Sequence, residues 1–251
     1  MGGANARARR LDCAASFRPL MPKTIDPVVK RTFGRMLRAW YRRNARDLPW
    51  RRTRDAYQVL VSELMLQQTQ VSRVVTRYGE FLEQFPTLGD VARARPARVM
   101  EAWEGLGYYA RARNLHRLAR AVTGDGERPE QPLPSHPEAL RQLPGVGAYT
   151  AGAVASFAYE RRAALVDTNV ARVLKRAFAP RVDVKTTRGQ RVVWDIANSL
   201  LPRTGRATWT HNQALMELGA LVCTARVAHC SRCPVRSVCR SASKPAGGRS
   251  T

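Results

Sequence analysis

Four cysteines near the carboxyl end have the types and spacing that most directly indicate chemistry. Cys223, Cys230, Cys233 and Cys239 follow the pattern C-x6-C-x2-C-x5-C. Zinc sites commonly use two close C-x2-C pairs, and only one interval here is that short. The wider intervals favour a larger centre, such as an iron–sulfur cluster with four cysteine ligands. A zinc knuckle and a pair of disulfides are the alternatives, and disulfides fit poorly because nothing else in the chain is typical of a secreted protein.

Two carboxylates lie in unlike surroundings. Glu63 falls inside the apolar helical segment at residues 59–66, where burial would raise its pKa and make it a candidate general acid. A partly exposed position, or a buried pair with an arginine, is the alternative. Asp167 directly precedes a helical pattern and could simply cap that helix. A carboxylate fixed at a helix start also suits a developing oxocarbenium ion, so the two acids together suggest glycoside cleavage.

A glycine-rich turn, L-P-G-V-G at residues 143–147, is followed at once by a helical pattern over residues 148–159. Gly145 and Gly147 let backbone N–H groups approach an anion, and the N-terminus of the next helix attracts negative charge. The pattern predicts a helix–hairpin–helix that grips a DNA phosphate, with an ordinary interhelical turn as the alternative.

Amide, aromatic and arginine side chains cluster in three further segments. Q-Q-T-Q at residues 67–70 could bond to bases or fill a gap in a base stack. W-R-R at residues 50–52 and the run at residues 107–114 could stack on bases and contact phosphates. A solvated helix end and core aromatics are the alternatives.

The charge of the chain is strongly positive, with 43 Lys and Arg against 19 Asp and Glu and a net charge of +24. Residues 1–24 contribute +4 and residues 240–251 contribute +3, which leaves +17 in between. A body this basic favours a polyanionic partner, usually nucleic acid, although arginine-rich composition can also reflect a GC-rich genome.

The remaining composition argues against a membrane or a secretory route. No apolar run is long enough to span a bilayer, and residues 1–22 lack the apolar core of a signal peptide. We expect a disordered basic arm or a start codon placed too early, with a transit peptide as the alternative. Apolar residues recur at helical spacing almost throughout, which predicts an all-α protein of about ten helices.

Three motifs resemble the endonuclease III superfamily of helix–hairpin–helix DNA glycosylases. They are S-E-L-M-L-Q-Q-T-Q-V at residues 62–71, G-L-G-Y-Y-A-R-A-R-N-L at residues 105–115 and N-Q-A-L-M-E-L-G-A at residues 212–220. Within the superfamily the chain is most similar to the MutY-type adenine glycosylases, over residues 43–239. The resemblance implies two lobes: a six-helix barrel at residues 49–158, and a cluster lobe formed by residues 25–48 and 159–240. We expect disordered tails at residues 1–24 and 241–251.

The resemblance also implies roles at the reacting centre. The four cysteines would hold a [4Fe–4S] cluster. Glu63 would protonate the purine ring of a flipped adenine, and Asp167 would stabilise the sugar cation. Asn169 would hold the catalytic carboxylate region, and Tyr149 would sit beside the sugar. Bifunctional relatives have a lysine just after the hairpin, and because tyrosine cannot form an imine we expect a monofunctional enzyme that leaves an abasic site.

Further residues would bind the DNA and the extruded base. Arg51 and Glu217 would contact the base, and Gln68 would enter the space that the base leaves. Gly145 and Gly147 would hold the phosphate backbone. The expected partner is double-stranded DNA with a mispair, bound by a monomer in a bacterial cytoplasm, associated with the nucleoid.

Two features of the sequence differ from the MutY-type pattern or are shared with another branch, and they leave alternatives to adenine removal. The chain ends soon after Cys239, so we expect the domain that reads 8-oxoguanine in MutY-type enzymes to be absent. Thymine or uracil glycosylases acting at mismatches with guanine share Tyr149 and V-D-T-N at residues 166–169. Gln67 and Gln68 favour adenine opposite guanine or 8-oxoguanine. A non-catalytic DNA-binding iron–sulfur module is a further alternative, and the retention of both Glu63 and Asp167 argues against it.

Overall fold

The computed structural model describes residues 25–124 and 132–242, and within these ranges the chain is helical, with one isolated bridge between Cys223 and Ala228 and no strand. This confirms the all-α prediction. No helix in these ranges is both long and apolar enough to cross a membrane. The predicted disordered tails at residues 1–24 and 241–251 lie outside the described residues except for Ser241 and Ala242, so their disorder stays a prediction. The helices are α1 (Pro27–Asn44), α2 (Ala56–Leu66), α3 (Val71–Gln84), α4 (Leu88–Arg93), α5 (Pro96–Ala102), α6 (Ala110–Thr123), α7 (Pro137–Leu140), α8 (Ala148–Phe157), α9 (Thr168–Phe178), α10 (Thr187–Leu200) and α11 (Gly205–Leu221), with 3-10 turns at Pro49–Arg51, Cys230–Arg232 and Arg236–Val238.

Side-chain caps fix where the two helices of greatest functional interest begin. Asp55 precedes α2 and accepts a hydrogen bond from the backbone N–H of Gln58 at 2.7 Å. Asp167 precedes α9 and accepts one from the backbone N–H of Val170 at 2.6 Å. Each such cap contributes about 1 kcal/mol to helix stability. The Asp55 cap fixes the start of α2 and so the turn on which Glu63 lies. The second cap fixes Asp167 itself at the start of α9.

The helices pack in two groups that meet at α8 and α11. Helix α2 packs against α3, α6 and α8, and helix α11 packs against α1, α9 and α8. Most residues of α2 and α8 are buried, which agrees with the mainly apolar sequences of both helices. The predicted lobe boundaries at residues 49–158 stay a prediction.

Gly152 lets α8 approach the extended segment that leads to Asp167. A Cβ at this position would lie 2.1 Å from the carbonyl oxygen of Ala164, far inside van der Waals contact. The neighbouring atom belongs to the backbone and cannot rotate away. A side chain here would therefore push the Asp167 segment away from α8.

We expect Gly152→Ala to lower the free energy of unfolding by about 2 kcal/mol or more, because the added methyl overpacks a site bounded by backbone. Gly79 in α3 is the matched control, since it is exposed and a Cβ there meets nothing within 4 Å. Gly79→Ala should raise stability by about 0.5–1 kcal/mol, from helix propensity alone. Urea unfolding of both variants checks this, and equal effects would contradict the close approach.

Candidate active site

One cavity of about 670 Å³ brings together most of the residues predicted from the sequence. Its walls come from the segment at residues 46–51, from α2 and the loop after it, from the starts of α8 and α9, and from the second half of α11. The predicted hairpin glycines, Gly145 and Gly147, lie outside its lining. The predicted residues in its lining are Glu63, Asp167, Tyr149, Asn169, Arg51, Gln67, Gln68 and Glu217.

Glu63 is buried within the last turns of α2, with 2% of its surface exposed. Burial raises the pKa of its carboxyl to about 7. The hydroxyl of Tyr149 donates a hydrogen bond to its Oε2 at 2.6 Å and opposes that rise, as does the charge of Arg51, whereas the charge of Asp167 adds to it. Glu63 therefore still carries a proton in much of the population near neutral pH, as a general acid requires.

Asp167 is both a helix cap and a wall of the cavity. Its Oδ1 accepts the backbone N–H of Val170, and its Oδ2 accepts the side-chain amide of Asn169 at 3.1 Å. Burial raises the pKa of Asp167 above its ordinary value, while these hydrogen bonds favour the ionised form. The capping alternative is thus correct, and it is compatible with a carboxylate held rigidly towards the cavity.

A chain of hydrogen bonds runs from Asp167 to the first cysteine. Arg172 Nη2 donates to Asn169 Oδ1 at 2.7 Å and to the carbonyl oxygen of Gly219 at 2.8 Å. Its Nε donates to the carbonyl oxygen of Cys223 at 2.8 Å. Arg172 was not predicted as a site residue, and the one signal that marks it is its place one turn after Asn169 on α9. The backbone of the cysteine loop and the orientation of Asp167 are therefore mechanically linked.

Glu217 is fully buried in α11 and is held by two arginines. Its Oε1 accepts from the backbone N–H and Nε of Arg46 at 2.9 and 2.8 Å, and its Oε2 accepts from Arg51 at 2.7 Å. Burial alone would raise its pKa, but the arginines outweigh it and hold the pKa at about 2. Arg51 also donates to Gln213 Oε1 at 2.9 Å. Arg46 and Gln213 were missed, although Gln213 stands one helical turn before Glu217.

We expect Glu217→Gln to lower the free energy of unfolding by about 3 kcal/mol, because it removes the charge that compensates two arginines, one of them largely buried. The wild-type pKa lies below its ordinary value. The stability it contributes is thus present above about pH 4.5 and is lost as the pH falls towards 2. Denaturant unfolding between pH 3 and pH 7 should show this dependence weakened in the variant. Asp47→Asn removes an exposed ion pair with Arg52 and should change nothing measurable.

Two of the three glutamines in the loop after α2, Gln67 and Gln68, lie in different surroundings, and the third, Gln70, is exposed. Gln67 is half-buried and its Nε2 lies 3.4 Å from the hydroxyl of Thr150. Gln68 is exposed at the rim of the cavity, and its backbone has a positive φ of 57°. Of Gln67 and Gln68, only Gln68 is exposed enough to extend away from the protein surface.

The hairpin at residues 143–147 joins α7 to α8. Gly145 has a φ of 76°, which favours glycine, and a Cβ there would lie 2.5 Å from the Cβ of Asn114. Gly147 caps α8, which ends at Phe157, slightly before the predicted residue 159. Both glycines are exposed, and Tyr149 follows them into the cavity. The hairpin thus presents backbone to solvent beside the cavity mouth.

The four cysteines line a second cavity of about 340 Å³. None of them is disulfide-bonded. Within residues 25–124 and 132–242 no three His, Cys, Asp or Glu side chains lie where they could hold a single metal ion. Four thiols around one cavity are a donor set that an iron–sulfur cluster or a zinc ion can use. The guanidinium of Arg176 lies 3.4 Å from Cys223 Sγ.

Comparison of this chain with known proteins identifies the family to which it belongs. The model of the HhH-GPD superfamily of base excision DNA repair proteins matches residues 61–195. The adenine DNA glycosylase of Mycolicibacterium smegmatis is 46% identical over 214 residues, which cover 84% of this chain and 70% of that protein. The human adenine DNA glycosylase is 45% identical over 214 residues, 82% of this chain and 38% of the human protein. The chain spans less than half the length of the mammalian relatives it matches.

Solved structures agree with the fold. A thermostable thymine-DNA glycosylase superposes with a TM-score of 0.76 at 28% identity, covering 85% of this chain and 96% of that one. A non-covalent endonuclease III–DNA complex superposes with a TM-score of 0.70 at 23% identity, covering 87% of this chain and 97% of that one. The identity to the second is low enough that it supports the fold alone. The predicted family is confirmed: this chain belongs to the HhH-GPD superfamily of base excision DNA repair proteins, in the family of the adenine DNA glycosylases.

Proposed function

We propose that this chain is a monofunctional DNA glycosylase that hydrolyses the N-glycosidic bond of adenine mispaired with guanine or 8-oxoguanine. One observation carries the proposal. A buried Glu63 with a pKa of about 7 and a capped Asp167 line the same cavity, and Tyr149 bonds directly to Glu63. Two carboxyl groups with different protonation states are the usual requirement of glycoside hydrolysis.

The reaction would begin when the target nucleotide leaves the stack and its base enters the cavity. Glu63 donates its proton to a ring nitrogen of adenine, so that the departing electron pair of the glycosidic bond leaves on a neutral base. The sugar is left as an oxocarbenium ion, which the carboxylate of Asp167 stabilises. Water adds to the sugar carbon and gives up a proton, which returns to the ionised carboxylate of Glu63 and leaves an abasic site and an intact strand.

The monofunctional outcome follows from the residues at the start of α8. Strand nicking through a Schiff base requires an amine nucleophile. Ala148 and Tyr149 occupy the first positions of α8, and no lysine lines the cavity within the described ranges. The Tyr149 hydroxyl donates to Glu63, and burial keeps its pKa well above the ordinary value, so it stays protonated during the reaction.

Base recognition would use the arginine-rich wall opposite Glu63. Arg51 is anchored by Glu217 and Gln213, so its guanidinium is held in one orientation at the cavity wall. Glu217 stays ionised, and its two oxygens already accept four hydrogen bonds from Arg46 and Arg51, so it would act on the base by orienting Arg51. A donor held in one orientation at the cavity wall would provide a polar contact that distinguishes bases by the acceptors they present.

DNA binding would use the hairpin backbone, the exposed Gln68 and the net charge of +24. Affinity should fall steeply with added salt because phosphate contacts release counterions. The four cysteines would hold a [4Fe–4S] cluster, which when bound supplies a covalent cross-link to the loop at residues 223–239. Arg226 and Arg232 are exposed on that loop and would face phosphates. We place the DNA across the groove between a barrel at residues 49–158 and a cluster lobe, bound by one copy of the chain.

A second candidate is removal of thymine or uracil opposite guanine. It is favoured by the 28% identity and close superposition with a thymine-DNA glycosylase. Two observations favour removal of adenine. The sequence identity to the adenine DNA glycosylase of Mycolicibacterium smegmatis is higher, at 46%, and Gln67 and Gln68 line the cavity.

A glycosylase assay on four labelled duplexes tests the proposal. They contain adenine opposite 8-oxoguanine, adenine opposite guanine, thymine opposite guanine and uracil opposite guanine. We expect breaks at adenine only after alkali, since the product is an abasic site. Breaks at thymine or uracil instead would support the second candidate. Binding without cleavage of any duplex, by protein whose cluster absorbance is intact, would indicate a DNA-binding module.

A further inference from the structure

One buried guanidinium joins the two loops beside the mouth of the candidate active site. Arg111 lies in the first turn of α6, with 6% of its surface exposed. One of its terminal nitrogens reaches the end of α2 and the loop after it, and the other reaches the loop before α6 and also Thr69 in the loop after α2. Nη1 donates to the carbonyl oxygens of Leu64, Met65 and Gln67 at 2.8, 2.8 and 2.6 Å, and Nη2 donates to the carbonyl oxygens of Leu106 and Gly107 at 2.9 and 2.8 Å and to the Thr69 hydroxyl at 3.2 Å.

These acceptors surround two strained residues. Three non-glycine residues in the described part of the chain have a positive φ, and two of them are Gln68 at 57° and Tyr108 at 47°. Such conformations persist where neighbouring contacts over-determine the backbone, and they cluster at functional sites. The residues on both sides of Gln68 and the residue before Tyr108 all accept hydrogen bonds from Arg111. One side chain thus restrains both strained positions.

Both strained residues direct an exposed side chain towards the same open groove. Tyr108 is 61% exposed, and Gln68 is exposed as well. They line one groove of about 470 Å³ that adjoins the main cavity through Gln68 itself. The guanidinium of Arg111 lies 5.5 Å from the centre of the Tyr108 ring. An aromatic and an amide side chain on rigid backbones are suited to entering a base stack and filling the space left by an extruded base.

We propose that Arg111 is the positioning residue that holds Gln68 and Tyr108 at a fixed separation, so that both enter the duplex together when the target base is extruded. The inference rests on the proposed function, because it assigns a step of base extrusion. Arginine suits the role since its planar fork carries five N–H donors, whereas lysine carries three donors on a single nitrogen. A lysine can satisfy acceptors of one loop but cannot bridge both.

Helix α6, which carries Arg111, also contacts the hairpin at residues 143–147. Asn114, one turn after Arg111, packs so closely on Gly145 that a Cβ there would lie 2.5 Å from the Asn114 Cβ. The hairpin, the Gln68 loop and the Tyr108 loop therefore all bear on the first two turns of α6. The phosphate grip and the two inserting side chains are fixed relative to one another by a single helix.

Amide hydrogen exchange of Arg111→Lys tests the positioning role directly. We expect exchange at residues 67–69 and 106–109 to rise about tenfold or more, together, while exchange in α10 stays unchanged. Arg98→Lys is the matched control, because Arg98 is exposed on α5 and pairs at the surface with Glu101. Exchange that stays unchanged at both loops, or rises throughout the protein, would overturn the proposal.

Two DNA substrates distinguish the loss of loop positioning in Arg111→Lys from a general loss of activity. Adenine opposite guanine must be unpaired before excision, whereas adenine opposite an abasic analogue has no partner to leave. We expect Arg111→Lys to slow single-turnover excision about thirtyfold on the first substrate and less than about threefold on the second. Equal losses on both substrates would overturn the proposal. If the wild type excises neither, the proposed function fails, and the exchange of the two loops alone upholds or overturns the role of Arg111.

Discussion

Asp167→Asn is expected to slow single-turnover excision of adenine by about three orders of magnitude, because it removes the negative charge opposite the forming sugar cation. The fold should survive, since asparagine is also a good helix cap and its side-chain oxygen can still accept the Val170 N–H. Binding of a mispaired duplex should be unchanged or tighter, because an anion near the phosphates is lost. Quenched-flow excision and a binding titration on the same duplex measure the two quantities separately.

The matched control is Asp195→Asn, which changes an exposed acid on α10 far from the cavity lining. It should leave excision, binding and unfolding as in the wild type. Wild-type rates in Asp167→Asn would mean that Asp167 only caps α9. Loss of binding together with excision would mean instead that the variant disturbs the chain through Asn169 and Arg172 towards the cysteine loop.

Much of this site could be predicted from the sequence because its signals are local. Glu63 is conspicuous as an acid inside an apolar helix, and the structure buries it as that pattern predicts. Asp167 stands at the junction of an apolar segment and a helix, and the structure makes it the cap. The cysteine spacing is likewise contained in a short loop. Each of these inferences needed only the residues within two or three helical turns.

The partners of those residues could not be predicted, because tertiary packing chooses them. Arg46 bonds to Glu217 across 171 residues of sequence, and 43 Lys and Arg offered no means of selecting it. Arg111 is one of several arginines in its segment, and only the meeting of α2 with the loop before α6 buries it. Gly152 looks unremarkable in a small-residue helix until the backbone of residue 164 is placed against it. Side-chain direction in three dimensions is the missing information.

Glu63→Gln is expected to slow excision by about two to four orders of magnitude, because a neutral amide fills the same space but has no acidic proton. In the wild type the donor is the protonated carboxyl, whose pKa burial raises to about 7. The excision rate should therefore be highest below pH 7 and should fall about tenfold per pH unit above it. The variant should lose this dependence, and a wild-type rate that stays level from pH 6 to pH 9 would contradict Glu63 as the acid.

The same substitution should stabilise the fold at alkaline pH. Because the folded-state pKa of Glu63 lies above its ordinary value of 4.5, the native protein binds the extra proton, and wild-type stability falls as the pH rises from about 4.5 to about 7. Glutamine never has to ionise in the buried site, so at pH 8 Glu63→Gln should be more stable than the wild type by about 2 kcal/mol. At pH 5 the two should unfold alike. Urea unfolding at both pH values decides this: a variant less stable at pH 8 would mean that the Glu63 carboxylate is well solvated or paired in the native state, and the proton it needs for adenine would then be absent.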